Sequence, residues 1–222
     1  MMEILRQVPL FCKMNDSQLR YIAEICTRKT YKAGTILFRE KEPGSDFYIV
    51  QTGSVKLYLT SQGGEDKILS IFRAGESFGE LSLIDGKPRS GSAQMLEDSS
   101  LIVLGADSFL GLLRANFDIA LSVMQELAQR LRDTNQHVHD LTFLDARSRV
   151  VKNLILLANK NGSRKANAIH VKLALNFDEI SRMAGVQKNV LMQVIRDLED
   201  RRVLSVGIDE FVLHLDKLRG GS

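Results

Sequence analysis

The chain has 222 residues, of which 44% are hydrophobic and 26% are charged, with a formal net charge of +3 at pH 7. This composition is that of a globular protein of one large or two smaller domains, and it excludes a disordered chain. No apolar run approaches the roughly 18 residues of a membrane helix, and the start MMEILRQVPLF lacks the blocks of a secretory signal. We therefore expect a cytoplasmic protein without membrane contact.

Charge is spread unevenly along the chain. Residues 146–222 carry 14 Lys and Arg against 8 Asp and Glu, whereas residues 1–145 carry 16 against 19. The basic second half indicates a polyanionic partner. The alternative is that the surplus of Lys and Arg only forms a solvated surface. The two cysteines, Cys12 and Cys26, cannot form a metal cluster alone, and we expect buried free thiols in a reducing compartment.

The first half of the chain predicts a short helix and then many strands. Residues 15–27, NDSQLRYIAEICT, predict a helix capped by Asn15 or Asp16. From residue 31 to about 104, short runs rich in Val, Ile, Leu, Phe and Tyr alternate with glycines, which is typical of an antiparallel sandwich or barrel. Within this region, FGELSLI (78–84) is compatible with one helical turn.

The segment FGELSLIDGKPRSGSA places an acid, Glu80, and a base, Arg89, nine residues apart among small residues. Such a loop can present backbone N–H groups to an anion. Arg89 would then neutralise the anion, and Glu80 would accept hydrogen bonds from a sugar. The alternative is a chance arrangement on a surface.

Residues 107–141 have a helical period, with no proline and one glycine. Seam positions three and four apart form an a/d heptad pattern: Phe117, Ala120, Met124, Leu127, Leu131, Thr134, Val138 and Leu141. A seam of this length predicts pairing with a second copy of the chain, and packing on its own domain is the alternative. The polar pair Thr134 and Asn135 lowers stability unless it sets register or meets a group between the helices.

The second half begins with a predicted boundary near residues 141–146. Residues 146–149 are predicted as a hinge, 150–158 as a helix, and 159–168 (NKNGSRKANA) as a polar loop. The following sequence is typical of a helix-turn-helix. Asn176 and Glu179 form a variant capping box.

In that motif, Gly185 ends the first helix, and the second begins after Gln187. RVLSVGIDEFVLHLD then predicts two strands across a turn, which makes a wing. A plain αα-hairpin is the alternative interpretation.

The exposed side of the second helix is a candidate DNA surface. Lys188, Asn189 and Gln193 lie near its start, where base edges are read in the major groove. Arg196 suits phosphate contact, which positions a protein without specifying sequence. With Gln187, these residues are our predicted DNA contacts, and simple surface solubility is the alternative explanation.

In this order of parts the chain resembles the catabolite activator and FNR family of bacterial transcription regulators. FGELSLIDGKPRS resembles the phosphate-binding cassette that the family shares with protein kinase A regulatory subunits. The resemblance implies an α+β fold with an N-terminal antiparallel β-roll of the cyclic-nucleotide-binding jelly-roll type, a long dimerisation helix and a C-terminal winged helix-turn-helix. The expected segments are residues 1–110, 111–144 and 145–222.

The family resemblance also implies residue roles. Glu80 is expected to hold the ribose 2′-hydroxyl, and Arg89 the cyclic phosphate. TNQHVHDLTFLD resembles the segment that meets the adenine, which implies base contact by Thr134 and Asn135, and Arg130 is expected on the phosphate side. Further donors are implied at Gly79, Leu81, Ser82 and Ser90.

The expected function is that of a cyclic-nucleotide-responsive, homodimeric DNA-binding regulator. Cyclic AMP (cAMP) is the expected ligand, with cyclic GMP or a cyclic dinucleotide as alternatives because Asn135 replaces the family's usual Ser. The family's Arg-Glu pair and later Arg are replaced by Lys188, Asn189 and Gln193. A nucleotide sensor with altered DNA specificity that acts through a protein partner is therefore the alternative function.

The expected partners are double-stranded DNA, a second copy through helix 111–141, and RNA polymerase through 159–168. No enzyme motif is visible, and no metal or haem is expected. Two cysteines are too few for an iron–sulfur cluster, and His137 and His139 point to different faces of a helix.

Overall fold

The structure is a computed structural model that describes residues 2–12, 14–172, 176–207 and 210–218. The chain divides into two compact units, Met1–Thr134 and Asn135–Ser222. Antiparallel sheets fill the first unit and helices dominate the second, which confirms the predicted α+β class. The helices that begin in the first unit are Met2–Gln7 (α1), Asp16–Ile25 (α2), Leu81–Asp85 (α3), Ala106–Ala115 (α4) and Phe117–Phe143 (α5), with a 3-10 turn at Pro9–Phe11.

Helix α2 confirms the predicted N-terminal helix. Its cap is Asn15, whose side chain accepts a hydrogen bond of 3.0 Å from the backbone N–H of Gln18. The Gln18 side chain accepts in return from the backbone N–H of Asn15, also at 3.0 Å. This capping box satisfies two N–H groups that a helix start otherwise leaves without partners.

The first unit contains two four-stranded antiparallel sheets, ordered β1-β8-β3-β6 and β2-β7-β4-β5. One hydrophobic cluster contains buried residues of both sheets, including Phe38, Tyr48, Phe72 and Phe78, so the sheets pack face to face. The strands are Thr27–Tyr31 (β1), Ile36–Phe38 (β2), Asp46–Thr52 (β3), Ser54–Thr60 (β4), Asp66–Arg73 (β5), Ser77–Phe78 (β6), Ser92–Met95 (β7) and Ser99–Gly105 (β8).

Strand β3 shows how alternation separates two cores. Tyr48 and Val50 face the opposite sheet, whereas Phe47 and Ile49 belong to a second cluster formed with the helices. Side chains of a strand alternate between its faces, so the apolar run 47–50 of β3 can serve both cores. The ring centroids of Phe47 and Phe109 of α4 lie 4.4 Å apart, which fixes that helix on the sheet.

One continuous helix was predicted over residues 107–141, including the dimerisation helix at 111–141, and this prediction was wrong. The segment is interrupted at Asn116, whose φ of −136° and ψ of 99° are extended. The Asn116 side chain donates to the Leu112 carbonyl at 3.2 Å and accepts from Gln18 at 3.0 Å. Asparagine competes with helical bonding through such local contacts, and α5 therefore begins at Phe117.

Helix α5 has a buried side and an exposed side. Ile119 and Val123 are 1% and 5% exposed and join the helical core. The larger apolar seam positions other than Leu127 are exposed: in the first unit Phe117 at 73%, Met124 at 50% and Leu131 at 62%, and in the second unit Val138 at 56% and Leu141 at 43%. The seam residues Ala120 and Leu127 are partly buried, and Leu127 packs on the helical core.

In the second unit, one sheet has the order β11-β12-β10-β9. Buried apolar residues of this unit come from its helices and from the sheet, and include Leu154, Ile180, Leu191 and Phe211. The described elements that begin there are Ala146–Asn161 (α6), Gly162–Lys165 (β9), Ala168–Lys172 (β10), Phe177–Ala184 (α7), Lys188–Asp200 (α8), Leu204–Val206 (β11), Glu210–His214 (β12) and Leu215–Leu218 (α9).

Two predictions for this unit were wrong. Residues 146–149 are not a hinge but the first turn of α6, because the Asp145 side chain accepts from the backbone N–H of Ser148 at 2.7 Å and caps the helix. Residues 159–168 are not a loop: the end of α6 leads directly into a β9–β10 hairpin, whose turn places Ala166 at φ 49°. The predicted wing is present as β11 and β12, with part of its turn, 208–209, outside the described residues.

None of the helices in the described ranges is long and apolar enough to cross a membrane. Two buried thiols were expected. Cys26 is buried, but the prediction was wrong for Cys12, which is exposed. Burial raises the pKa of the Cys26 thiol to about 11.

Candidate functional site

The predicted anion-binding segment forms a tight strand-to-helix turn. Strand β6 ends at Phe78, Gly79 adopts φ 90°, and α3 begins after Glu80. A residue with a Cβ is strained at such a φ, so glycine is required there. The predicted helical turn inside the β region is therefore confirmed. Gly86, at φ 69°, ends α3.

Arg89 lies inside this segment with 4% exposure. Its Nη1 donates to the Gly79 carbonyl at 2.8 Å and to Ser82 Oγ at 2.9 Å, and its Nη2 donates to the Asp46 carbonyl at 2.8 Å. Its guanidinium carbon lies 4.3 Å from the centroid of the Phe38 ring. Burial lowers the pKa of Arg89, but an arginine side chain remains charged in proteins.

Glu80 is the second buried charged group, with 5% exposure. Its Oε1 accepts a hydrogen bond of 2.8 Å from Arg130 Nη1. Burial raises the pKa of the Glu80 carboxyl, and the positive charge of Arg130 opposes that shift. No hydrogen bond joins Glu80 to Arg89 in the described part of the chain.

Two atoms of this site are buried without a hydrogen-bond partner among the described residues: Glu80 Oε2 and Arg89 Nε. One is an acceptor and the other is a donor. Because a buried polar atom without a partner costs about 1–3 kcal/mol, such atoms are places where ordered water or a bound molecule can supply the missing contacts.

Arg130 reaches the site from α5. Besides Glu80, its guanidinium donates to Glu126 and to the carbonyl of Ser77, and its guanidinium carbon lies 4.9 Å from the centroid of the Phe72 ring. Its observed contacts are thus on the carboxylate side of the site. No local pattern in the sequence pointed to Glu126, Ser77 or the aromatic rings around the two arginines.

Glycines make room for the arginine. A Cβ at Gly44 would lie 2.1 Å from Ser82 Oγ and 3.2 Å from Arg89 Cζ, and a Cβ at Gly79 would lie 2.9 Å from Arg89 Nη1. Gly44 was not among the predicted site residues, although it lies in the sequence PGSD just before β3.

The other predicted nucleotide contacts have mixed positions. Ser82 is buried and hydrogen-bonded to Arg89, whereas Leu81 and Ser90 are exposed. Thr134 is exposed, and its hydroxyl donates to the Arg130 carbonyl at 2.8 Å. Asn135, in the second unit, is also exposed.

The helix-turn-helix has the local structure that the sequence predicts. Asn176 and Glu179 form the capping box of α7, and Gly185 ends that helix at φ 63°. Ser181 is buried. Gln187 precedes α8 but makes no side-chain capping bond, as expected for a residue that is a poor cap.

Helix α8 presents its predicted DNA contacts to solvent. Gln187, Lys188, Asn189, Gln193 and Arg196 are all exposed. A surface depression of about 540 Å³ is lined by Asn189, Met192, Gln193, Arg196, Asp197 and Asp200. Lys188 Nζ forms an ion pair of 2.9 Å with Asp178 Oδ2 of α7.

Metal binding has no candidate in the described ranges, where no three His, Cys, Asp or Glu side chains lie close enough together to hold an ion.

Comparisons with known proteins agree with this architecture. Residues 28–116 match the cyclic nucleotide-binding domain family. The chain is 29% identical over 199 residues to a CRP-like cAMP-activated global transcriptional regulator of Mycobacterium tuberculosis, across 90% of this chain and 89% of the relative. It has the same identity and coverage with the cyclic AMP receptor protein of Thermus thermophilus.

The solved structure of FixK2 from Bradyrhizobium japonicum shares the fold, with a TM-score of 0.78 and 21% identity over 88% of this chain and 96% of that chain. The chain thus contains a match to the cyclic nucleotide-binding domain, and over 90% of its length it is similar to cAMP-dependent transcription regulators of bacteria.

Proposed function

We propose that this chain is a transcription regulator that binds double-stranded DNA as a homodimer in response to cyclic AMP. One observation carries the ligand assignment: a buried acceptor, Glu80 Oε2, and a buried donor, Arg89 Nε, lack partners in the described protein. A cyclic nucleotide supplies both missing contacts, because it combines a ribose 2′-hydroxyl with a phosphodiester anion.

The charge of Arg89 supports an anionic ligand. Its hydrogen bonds go to two backbone carbonyls and one hydroxyl, all neutral oxygens, and within the described ranges no carboxylate makes an ion pair with it. Burial lowers the pKa of Arg89, and the opposing interactions with Tyr48, Asp46 and Glu80 do not offset that effect. A phosphate oxygen at Arg89 provides a counter-charge in a charge-assisted hydrogen bond.

Glu80 would hold the sugar of the same ligand. Its Oε1 is already fixed by Arg130, which leaves Oε2 to accept from the 2′-hydroxyl. Gly79, Leu81, Ser82 and Ser90 surround this arrangement as the remaining proposed contacts. A deoxyribose analogue lacks the donor and would leave the carboxylate without its contact.

Among the cyclic nucleotides, cyclic AMP is the proposed ligand, with adenine as its base. Two whole-length relatives are named for activation by cAMP or for its reception. We assign adenine contact to Thr134 and Asn135, and Arg130 to the positioning of Glu80. Cyclic GMP and a cyclic dinucleotide are the alternative ligands to test beside it.

The exposed seam of α5 supports the homodimer. Phe117, Met124 and Leu131 recur every seven residues and are at least half exposed, which is the spacing of a coiled-coil contact. Exposure of such apolar side chains to solvent is unfavourable, and a second copy of the chain would bury them.

We further assign cyclic nucleotide binding to residues 1–110, dimerisation to 111–144 and DNA binding to 145–222. The β9–β10 hairpin is the proposed RNA polymerase contact. The protein is proposed to act in the cytoplasm, as a regulator and not as an enzyme. The ligand acts by binding the DNA-competent state more tightly than the other state.

A gel-shift titration of sheared genomic DNA tests this function, with cAMP, cyclic GMP or a cyclic dinucleotide present. We expect cAMP to lower the protein concentration needed for retardation, and Glu80→Gln to remove that dependence. If no nucleotide changes DNA retardation although cAMP binds, the chain senses a nucleotide without cAMP-controlled DNA binding. A protein partner then becomes the target of the search.

A further inference from the structure

We infer that Gln193 selects adenine in the DNA site and that Asp178 withholds Lys188 from DNA. This inference rests on the proposed DNA binding and specifies the sequence that α8 prefers. It follows from which exposed side chains of α8 are already engaged within the protein and which are not.

Gln193 has an exposed carboxamide at the centre of the α8 surface. It lies one turn after Asn189 and lines the depression of about 540 Å³ on this helix. Its side chain makes no hydrogen bond within the described residues. A carboxamide offers one acceptor and two donors side by side, and this pattern matches the N6 donor and N7 acceptor of adenine in the major groove.

Asn189, the other carboxamide, is partly engaged. Its Oδ1 accepts a hydrogen bond of 2.9 Å from the backbone N–H of Val190. That N–H lies in the first turn of α8, where Gln187 supplies no capping bond. Asn189 therefore contributes to the helix start, and Gln193 retains the full set of donors and acceptors.

Lys188 is the side chain at the start of α8 that would otherwise contact guanine or a phosphate. Its ammonium donates to Asp178 at 2.9 Å, and both side chains are about half exposed. An exposed ion pair of this kind stabilises the fold only weakly. Its effect on a polyanion is larger, because the pair is neutral and an aspartate near phosphates repels them.

Three further charged residues line the depression, of which Asp200 lies exposed at the end of α8. Asp197 is paired with Arg147 and Arg201, which neutralise it within the protein. Arg196 makes no ion pair or hydrogen bond with any described residue, and its guanidinium is available for phosphate. The selective contact of α8 is thus assigned to Gln193, and a general contact to Arg196.

Selection from randomised double-stranded DNA by the full-length protein with cAMP tests the adenine contact. We expect one A·T pair to be enriched in each half-site. Gln193→Ala should lose that preference and bind the selected site roughly 5- to 100-fold more weakly. Gln193→Glu should change the preference to cytosine, whose N4 amino group donates to a carboxylate. Gln62→Glu, in an exposed turn of the first unit, is the matched control and should select the wild-type site.

Salt dependence tests the role of Asp178. Asp178→Asn keeps the side-chain volume and releases Lys188, so DNA affinity should rise and the salt slope should steepen by about 0.9 for each released contact. Lys188→Ala should change the wild-type slope little but should abolish the gain in the Asp178→Asn background. Thermal unfolding of each variant checks that the motif remains folded.

The outcomes separate this inference from the function on which it rests. Sequence-specific DNA binding with a base preference that Gln193→Glu leaves unchanged overturns the adenine assignment alone. Equal loss of affinity on Lys188→Ala in both backgrounds overturns the role of Asp178. Absence of any DNA binding, with or without nucleotide, removes the proposed function and this inference together.

Discussion

Arg130 Nη1 donates to Glu80 Oε1 at 2.8 Å, so a side chain of α5 fixes one oxygen of the buried carboxylate while the other oxygen has no partner among the described residues. This contact connects the proposed dimerisation helix with the proposed ribose contact. It identifies Arg130 as a positioning residue, since its own bonds go to the protein.

Replacement of Arg130 tests this positioning. Arg130→Met removes the counter-charge of Glu80 and should lower the free energy of unfolding by about 1–3 kcal/mol. It should also weaken nucleotide binding, because Glu80 then favours its protonated form. Calorimetry and thermal unfolding measure the two effects. Arg132→Met, two residues later and exposed, should leave both near wild type; equal effects of the two substitutions would contradict the assignment.

The raised pKa of Glu80 predicts a pH dependence of binding. Burial raises that pKa above its ordinary value of 4.5, and the 2′-hydroxyl needs the ionised carboxylate as acceptor. Nucleotide affinity should therefore fall as the pH is lowered through the raised pKa, and calorimetry over a pH series that reaches 4.5 measures this fall. Glu80→Gln should bind weakly with no such slope. A wild-type affinity that stays flat down to pH 4.5 would be inconsistent with a ribose contact by an ionised Glu80 of raised pKa.

Stability should change in the opposite direction. The folded protein binds the Glu80 proton more tightly than the unfolded chain, so this group's contribution to the free energy of unfolding rises as the pH falls from the folded-state pKa towards 4.5. Denaturant unfolding of wild type and Glu80→Gln at several pH values isolates that contribution. The stability difference between the two proteins should move in favour of wild type at lower pH.

Two glycine substitutions should have effects of opposite sign. Gly44→Ala places a methyl group 2.1 Å from Ser82 Oγ, so it should destabilise the protein by about 1–3 kcal/mol and weaken nucleotide binding. Gly111 lies inside α4, and an added Cβ there has no described atom within 4 Å. Gly111→Ala should stabilise the protein by about 0.5–1 kcal/mol and leave binding unchanged. Chemical denaturation provides the comparison.

The proposed dimer predicts a specific effect of charge on α5. Leu131 is 62% exposed on the seam, and Leu131→Lys would place like charges opposite each other in a pair of helices. Light scattering should show conversion from dimer to monomer. Leu69→Lys, at an exposed leucine of β5, should remain dimeric. A monomeric wild type, or a dimeric Leu131→Lys, would count against the assigned interface.

The sequence predicted well those parts of the fold that depend on neighbouring residues. The helix cap at Asn15, the capping box at Asn176 and the glycine that ends a helix at Gly185 depend on residues within one turn, and all are present. The β9–β10 hairpin was missed because its turn contains Ala166 at φ 49° instead of a glycine. Strand β10 also pairs with β12, about 40 residues later, which no local pattern reveals.

The site shows the same division between local and distant information. Glu80 and Arg89 were visible because they share one short segment. The partners that bury them come from far along the chain: the Asp46 carbonyl belongs to β3, and Arg130 belongs to α5. Their hydrogen bonds depend on tertiary packing, which no local pattern reveals. The family resemblance implied the phosphate side for Arg130, whereas its contacts in the structure include the Glu80 carboxylate.

Titration calorimetry with cAMP on wild type and Arg89→Ala most directly tests the central claim. Wild type should bind one cAMP per chain, and Arg89→Ala should show no measurable binding. Arg28→Ala, at an exposed arginine of β1, should bind as wild type does. Indistinguishable binding by wild type and Arg89→Ala, with cAMP and with each alternative nucleotide, would contradict the account.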